Sequence, residues 1–118
     1  MSKLKAYICG PITDMPGLNL DEFRAVEVIL TEMGYDTIVP HDLFEGIDTT
    51  GFTHDDYMDE CLKAIRTQNV DYLMVLDGWQ NSKGAKMEIE LADELGIPVR
   101  FACNDLAAYA NSRATADL

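Results

Sequence analysis

Short, nearly continuous apolar runs alternate along the chain with longer segments whose apolar residues recur every three to four positions, the pattern of strands alternating with helices. Lys5 to Cys9, with β-favouring Tyr7 and Ile8, is broken at once by Gly10-Pro11 and predicts a buried first strand ending in a turn. A ligand-facing loop is expected through Met15-Pro16-Gly17. Asn19 followed three positions later by Glu22 resembles an N-cap arrangement, and a helical period then runs through Phe23, Val26, Ile29, Leu30 and Met33 to Gly34.

Thr37 to Val39 predicts a second strand stopped by Pro40, followed by a loop rich in Gly, Asp and Thr. Thr53 with Asp56 caps a second helix that reaches Thr67, with Tyr57, Met58, Cys61, Leu62 and Ile65 on its apolar side. Tyr72 to Leu76 is apolar without interruption, which predicts a central parallel strand buried on both faces. Ser82 opens a third helix ending at Gly96, Ile97 to Ala102 supplies another strand, a short helix is expected near Leu106 to Tyr109, and the tail from Asn111 is expected to fray.

This alternation predicts an α/β fold, a doubly wound, Rossmann-like or flavodoxin-like parallel sheet of four to five strands flanked by helices. In such sheets ligands bind beyond the carboxyl ends of the strands, where strand order reverses. With the common order 2-1-3-4-5, that crevice lies between Gly10 and Asp77. No internal repeat or linker divides the 118 residues, so one domain spanning 1–118 is expected.

Composition narrows the partners. The net charge of -12 opposes a polymeric phosphate backbone, so no nucleic-acid polymer is expected, although a helix start can still hold a small anion. Cys9, Cys61 and Cys103 are odd in number and lack metal-ligand spacing, and no apolar leader precedes Lys3 and Lys5, which points to a reducing cytoplasm. His41 and His54 are the only histidines, so a structural zinc site is not expected and His-based catalysis has few candidates; no metal or other cofactor is expected. No apolar run approaches the roughly 20 residues of a membrane span, so no membrane partner is expected.

On a helical wheel of the third helix, Ala85, Met87, Ile89, Leu91, Ala92 and Leu95 form one broad apolar arc, with Lys86, Glu90, Asp93 and Glu94 opposite. Glu88 falls within the apolar arc. A carboxylate withdrawn from water must be hydrogen-bonded or have a raised pKa, and such groups are enriched at functional sites; it can equally snorkel or pair with a nearby donor. Ser82-Lys83-Gly84 offers a hydroxyl, free N–H groups and a small residue for a close-approaching anion, or simple N-capping by Ser82. Trp79 follows the central strand, where it can stack on a nucleobase or merely pack. Tyr7 can point its hydroxyl at Glu88 or be an ordinary half-buried strand tyrosine, and Asp71, at the far end of the sheet, reads as structural.

Tyr7-Ile8-Cys9-Gly10-Pro11-Ile12, the central strand and Ser82-x-Gly84-x-x-x-Glu88 together resemble the nucleoside 2-deoxyribosyltransferase superfamily over nearly the whole chain. Gly10-Pro11-Ile12-Thr13, Asn19, Gly34-Tyr35, Tyr57-Met58 and Gly78-Trp79-x-x-Ser82-Lys83-Gly84-Ala85 with Glu88-x-Glu90 look like an uncharacterised branch of small proteins often encoded by bacteriophages. The resemblance implies that Glu88 attacks the anomeric carbon of a 2-deoxynucleoside or its 5′-monophosphate, giving a glycosyl-enzyme intermediate that water or another base resolves, with Tyr7 orienting the nucleophile. Ser82, six residues before Glu88, matches the nucleotide N-hydrolase members and favours a monophosphate. Relatives carry an assisting Asp on the second helix. Alignment on Tyr57-Met58 puts Cys61 there, leaving Asp59, two positions earlier, as the carboxylate candidate if the register shifts. Glu90 stands where characterised relatives have Gly, on the outer arc, and is expected to alter a subunit contact.

The expected function is therefore N-glycoside hydrolysis or 2-deoxyribosyl transfer on a nucleoside or nucleotide. Glu88, Tyr7 and Asp59 are the catalytic candidates, and Gly10, Pro11, Ile12, Asp77, Gly78, Trp79, Ser82, Lys83 and Gly84 the binding candidates. A homo-oligomer is implied by the resemblance. A non-catalytic nucleotide-binding or nucleotide-sequestering protein is the alternative that Cys61 raises, and a purely structural interaction domain is compatible with the acidic surface.

Overall fold

Residue parity along the strands decides which helices cover which face of the sheet. The structure, a computed structural model, describes residues 3–106. Four strands, β1 (Lys5–Cys9), β2 (Asp36–Ile38), β3 (Tyr72–Val75) and β4 (Val99–Phe101), form one all-parallel sheet in the order β2-β1-β3-β4. Between them run α1 (Leu20–Glu32), α2 (His54–Thr67) and α3 (Lys83–Leu95), with a short α4 (Ala102–Asp105) after β4. This is the α/β arrangement of Rossmann-like and flavodoxin-like sheets, and order reverses between β1 and β3.

Side chains alternate across a strand, so Ala6, Ile8, Tyr72 and Met74 point to one face, where Phe23, Val26 and Leu30 of α1 cover them with Ala102 and Leu106. Tyr7, Cys9, Leu73 and Val75 point to the other, against Cys61, Ala64 and Ile65 of α2 and Ala85, Leu91 and Ala92 of α3. All four residues of β3 are buried, as its unbroken apolar run requires. Each fully buried large side chain, such as Ile8 or Phe23, contributes about 1.5–3 kcal/mol relative to exposure. Tyr7 is thereby committed to the same layer as α2 and α3.

Several boundaries differ from expectation. The second strand lies one residue earlier than Thr37–Val39, because Pro40 opens a 3-10 turn, Pro40–Phe44, that Val39 enters in extended form. The last strand is shorter than Ile97–Ala102: Gly96 ends α3 in the left-handed region (φ 73), and Pro98 has no N–H to donate and joins the sheet by its carbonyl, which accepts from Leu73 N. The following helix begins at Ala102 rather than near Leu106, since Ala102 and Leu106 both bury against the α1 layer. Positions 107–109 of that expected helix, and the tail from Asn111, lie outside the described residues.

Thr53 and Asp56 form the capping box expected for α2: Asp56 N–H donates to Thr53 Oγ1, and Thr53 N–H donates to Asp56 Oδ2. Asn19 does not cap α1. It adopts a left-handed conformation (φ 60), and its Nδ2 donates instead to the carbonyl of Pro11 at 2.9 Å, tying the loop after β1 to the start of α1. Asp71 accepts from Lys5 N–H at 2.7 Å and fixes the opposite end of the sheet. Cys9 and Cys61 are buried and Cys103 is exposed, all as free thiols. Among the described residues no helix is long and apolar enough to cross a membrane.

Candidate active site

The third helix buries Ala85, Glu88, Leu91 and Ala92 on the sheet, and Glu88 is the one buried polar or charged side chain among the described residues, 4% exposed. Its neighbours on the expected apolar arc are less uniform: Leu95, in the last turn, is 47% exposed because the helix ends beyond the sheet's cover. Directly below Glu88, on the strand parity that faces α3, the fully buried Tyr7 hydroxyl donates to Glu88 Oε2. Beside them the Cys9 thiol donates to the carbonyl of Ala85 at 3.6 Å. No ion pair among the described residues involves Glu88.

Burial without a cation destabilises the charged form. The Glu88 carboxyl is pushed up to about 7 by desolvation, with donation from Tyr7 and contact with Cys9 pulling the other way. Burial, reinforced by the Glu88 charge, raises the Tyr7 hydroxyl well above its ordinary value, so it remains a protonated donor. The same two causes push the Cys61 thiol up to about 12. Near neutral pH the group is thus a carboxyl at the point of ionisation, held by a donor that does not titrate there.

Glu88 lines a cavity of about 550 Å³ whose other walls are mainly apolar: Leu18, Pro40, Phe44, Ile47, Tyr57 and Met58, with Cys61 from α2. Phe44, Phe52 and Tyr57 pack edge-to-face on one another, with centroids 5.0 to 6.3 Å apart, and so brace the loop before α2 against that helix. A second, polar lobe of about 760 Å³ adjoins it, with Thr13, Asp14, His54, Ser82 and Gly84 lining both. The polar lobe carries Lys83 and four carboxylates, those of Asp14, Glu22, Asp55 and Asp77.

Most of the expected binding residues meet here. Gly10 and Ile12 line the apolar lobe, Pro11, Asp77, Gly78 and Lys83 the polar lobe, and Ser82 and Gly84 both. Ser82 Oγ accepts from Ala85 N–H at 3.1 Å, which is N-capping, and its own proton is left to donate. Two glycines are explained by close approach: a Cβ on Gly10 would lie 2.9 Å from Leu76 Cβ, and one on Gly84 would lie 2.9 Å from Met58 Sδ. Gly84 therefore brings α3 against α2.

Two of the expected site residues lie apart from these lobes. Trp79 lines neither lobe; its half-buried ring packs on Phe101, with centroids 5.7 Å apart. Asp59 is exposed on α2 and also lines neither lobe, whereas Cys61, two residues on and about 200° around the helix, faces Glu88's cavity.

The loop between β1 and α1 borders both lobes through Thr13 and Asp14, and its backbone is strained. Asp14, Leu18 and Asn19 all have positive φ (65, 55 and 60), which costs a non-glycine residue about 1–3 kcal/mol, and such outliers cluster at functional sites. Besides the Asn19 to Pro11 bond, His41 Nε2 donates to the Leu18 carbonyl at 2.8 Å, and its Nδ1 is buried without a partner among the described residues. Arg24, paired with Asp42 at 2.6 and 2.8 Å, clamps the 3-10 turn carrying His41 onto α1. The sequence pattern does not mark His41, Asp14, Phe44 and Phe52 as site residues, because loop residues carry no periodicity, and it places Tyr57 on α2 and His54 at its start without showing that either meets the cavity.

The family model described as "Domain of unknown function (DUF4406)" matches residues 4–101, which include β1 through β4 and every cavity-lining residue. No curated protein matches the chain.

Proposed function

The chain belongs to the family described as a domain of unknown function (DUF4406), which assigns no activity, and from the site itself we propose an N-glycosidic-bond enzyme that uses Glu88 as its nucleophile. The observation that carries this reading is a buried glutamate in a cavity wall, unpaired with any cation and held by the Tyr7 hydroxyl. Such a carboxylate is costly to the fold and suited to covalent catalysis: Oε2 accepts from Tyr7, and Oε1 is the oxygen assigned to attack an anomeric carbon. The resemblance to nucleoside 2-deoxyribosyltransferases supplies the substrate class, a 2-deoxynucleoside or its 5′-monophosphate. The glycosyl-enzyme intermediate is resolved by water or a second base.

The two lobes suit the two ends of such a substrate. An apolar, aromatic-walled chamber takes the base, and the start of α3, with Ser82 and Lys83, takes the 5′ end. A homo-oligomer that completes the site is part of the same proposal, and light scattering giving a mass of one chain would remove that part.

Purified protein incubated with a panel of 2′-deoxynucleosides and their 5′-monophosphates should release free base, and Glu88→Ala should abolish release. Equal release by both proteins refutes the assignment. A second reading, non-catalytic nucleotide binding, is favoured by Cys61 standing where relatives have a carboxylate. Calorimetry showing tight binding without base release would establish it.

A further inference from the structure

When a C1′–N bond breaks, the electron pair stays with the departing base, and an ordinary base departs slowly unless it receives a proton. Neither Glu88 nor Tyr7 serves, since the first is bonding to carbon and the second holds the first. Cys61, one of the α2 side chains facing the same cavity, is pushed up to about 12 and is a poor acid.

His54 is the first residue of α2, seven residues or about two turns before Cys61, and it lines both lobes of the cavity. Its Nε2 would lie 3.6 Å from a Cβ placed on Gly84, so the imidazole stands directly against α3 at that residue. Gly84 precedes Glu88 by four residues and shares its face of α3, about one helical turn and about 6 Å of backbone rise away. In retaining glycosidases the two catalytic carboxyl groups stand about 5–5.5 Å apart, on the order of one helical turn. Imidazole is also the side chain used most often for proton transfer in catalysis.

Resting on the N-glycosidic reading above, we propose that His54 is the proton donor to the departing base. As a Glu88 oxygen forms its bond to C1′, the C1′–N bond breaks, its electron pair remains on the base, and the imidazolium proton passes to a ring atom of the base. In the second half, the neutral imidazole takes a proton from water as the water oxygen bonds to C1′ and Glu88 leaves as a carboxylate.

The test compares wild type with His54→Gln on an accepted substrate and on its activated counterpart, N7-methylated for a purine or 5-nitrated for a pyrimidine, whose base leaves without protonation. His54 is exposed, so the variant should unfold at the wild-type temperature. The expected result is a loss of roughly 10²- to 10⁴-fold on the ordinary substrate and at most a few-fold on the activated one. Equal losses on both, or no loss on either, overturn the role of His54 while leaving the Glu88 reading intact. A wild-type protein inert toward both kinds of substrate removes the N-glycosidic reading and this proposal with it.

Discussion

Replacing Glu88 by Gln should remove a specific pH dependence of stability. In the fold the carboxyl is raised from 4.5 to about 7, chiefly by desolvation. Below pH 4.5 both folded and unfolded chains carry the proton and the group adds no slope. Between 4.5 and about 7 the unfolded chain has released its proton while the folded chain keeps it, so stability is lost as pH rises through this window. At about 1.4 kcal/mol per pH unit, the interval corresponds to about 3 kcal/mol. Asp42, held below its ordinary value by the hydrogen bond from Arg24, acts with opposite sign and at lower pH, while the raised Tyr7 and Cys61 groups act above the window. Gln keeps the side-chain shape and an oxygen to accept from Tyr7 but cannot ionise. Urea denaturation of both proteins from pH 4 to 8 should give a wild-type curve that falls relative to Glu88→Gln, with the variant more stable by about 3 kcal/mol at pH 8. Parallel curves would refute the burial of an unpaired carboxyl.

Other substitutions separate packing from chemistry. Gly10→Ala puts a methyl 2.9 Å from Leu76 Cβ, an atom anchored to backbone, and should cost about 1–3 kcal/mol in denaturant melts. Lys83→Ala should weaken binding of a deoxynucleoside monophosphate several-fold in calorimetry while leaving the free nucleoside unchanged, because Lys83 is the one Lys or Arg lining the polar lobe. Cys61→Ala should leave base release within a few-fold of wild type, since a thiol held near 12 carries no charge and gives up no proton at neutral pH.

The crevice and its carboxylate were legible because regular periodicity made them so. Runs of three to six β-favouring residues separated by helical periods point to a parallel sheet, and on α3 a single glutamate falls within the arc of Ala85, Leu91 and Ala92 that faces the core. Strand parity likewise committed Tyr7 to one face but left open which helix it would meet. Asn19 misled because Asn-x-x-Glu has the same spacing whether Asn caps the helix or bonds a carbonyl of the previous loop, as it does with Pro11. Trp79 stayed ambiguous because packing, as on Phe101, and stacking on a base leave the same trace in a sequence. His54 and the Phe44–Phe52–Tyr57 cluster gain their places only when the loop before α2 folds back, and no local pattern encodes that contact.

Covalent capture on Glu88 tests the central claim most directly. A 2′-deoxy-2′-fluoro nucleoside or its monophosphate destabilises the cationic transition state and slows resolution of the intermediate, so the sugar should accumulate on the protein. After proteolysis, mass spectrometry should find the fluorosugar on the peptide containing Glu88, with none on Glu88→Ala. Base release with no adduct, or with the adduct on another residue, would contradict the assignment of Glu88 as nucleophile.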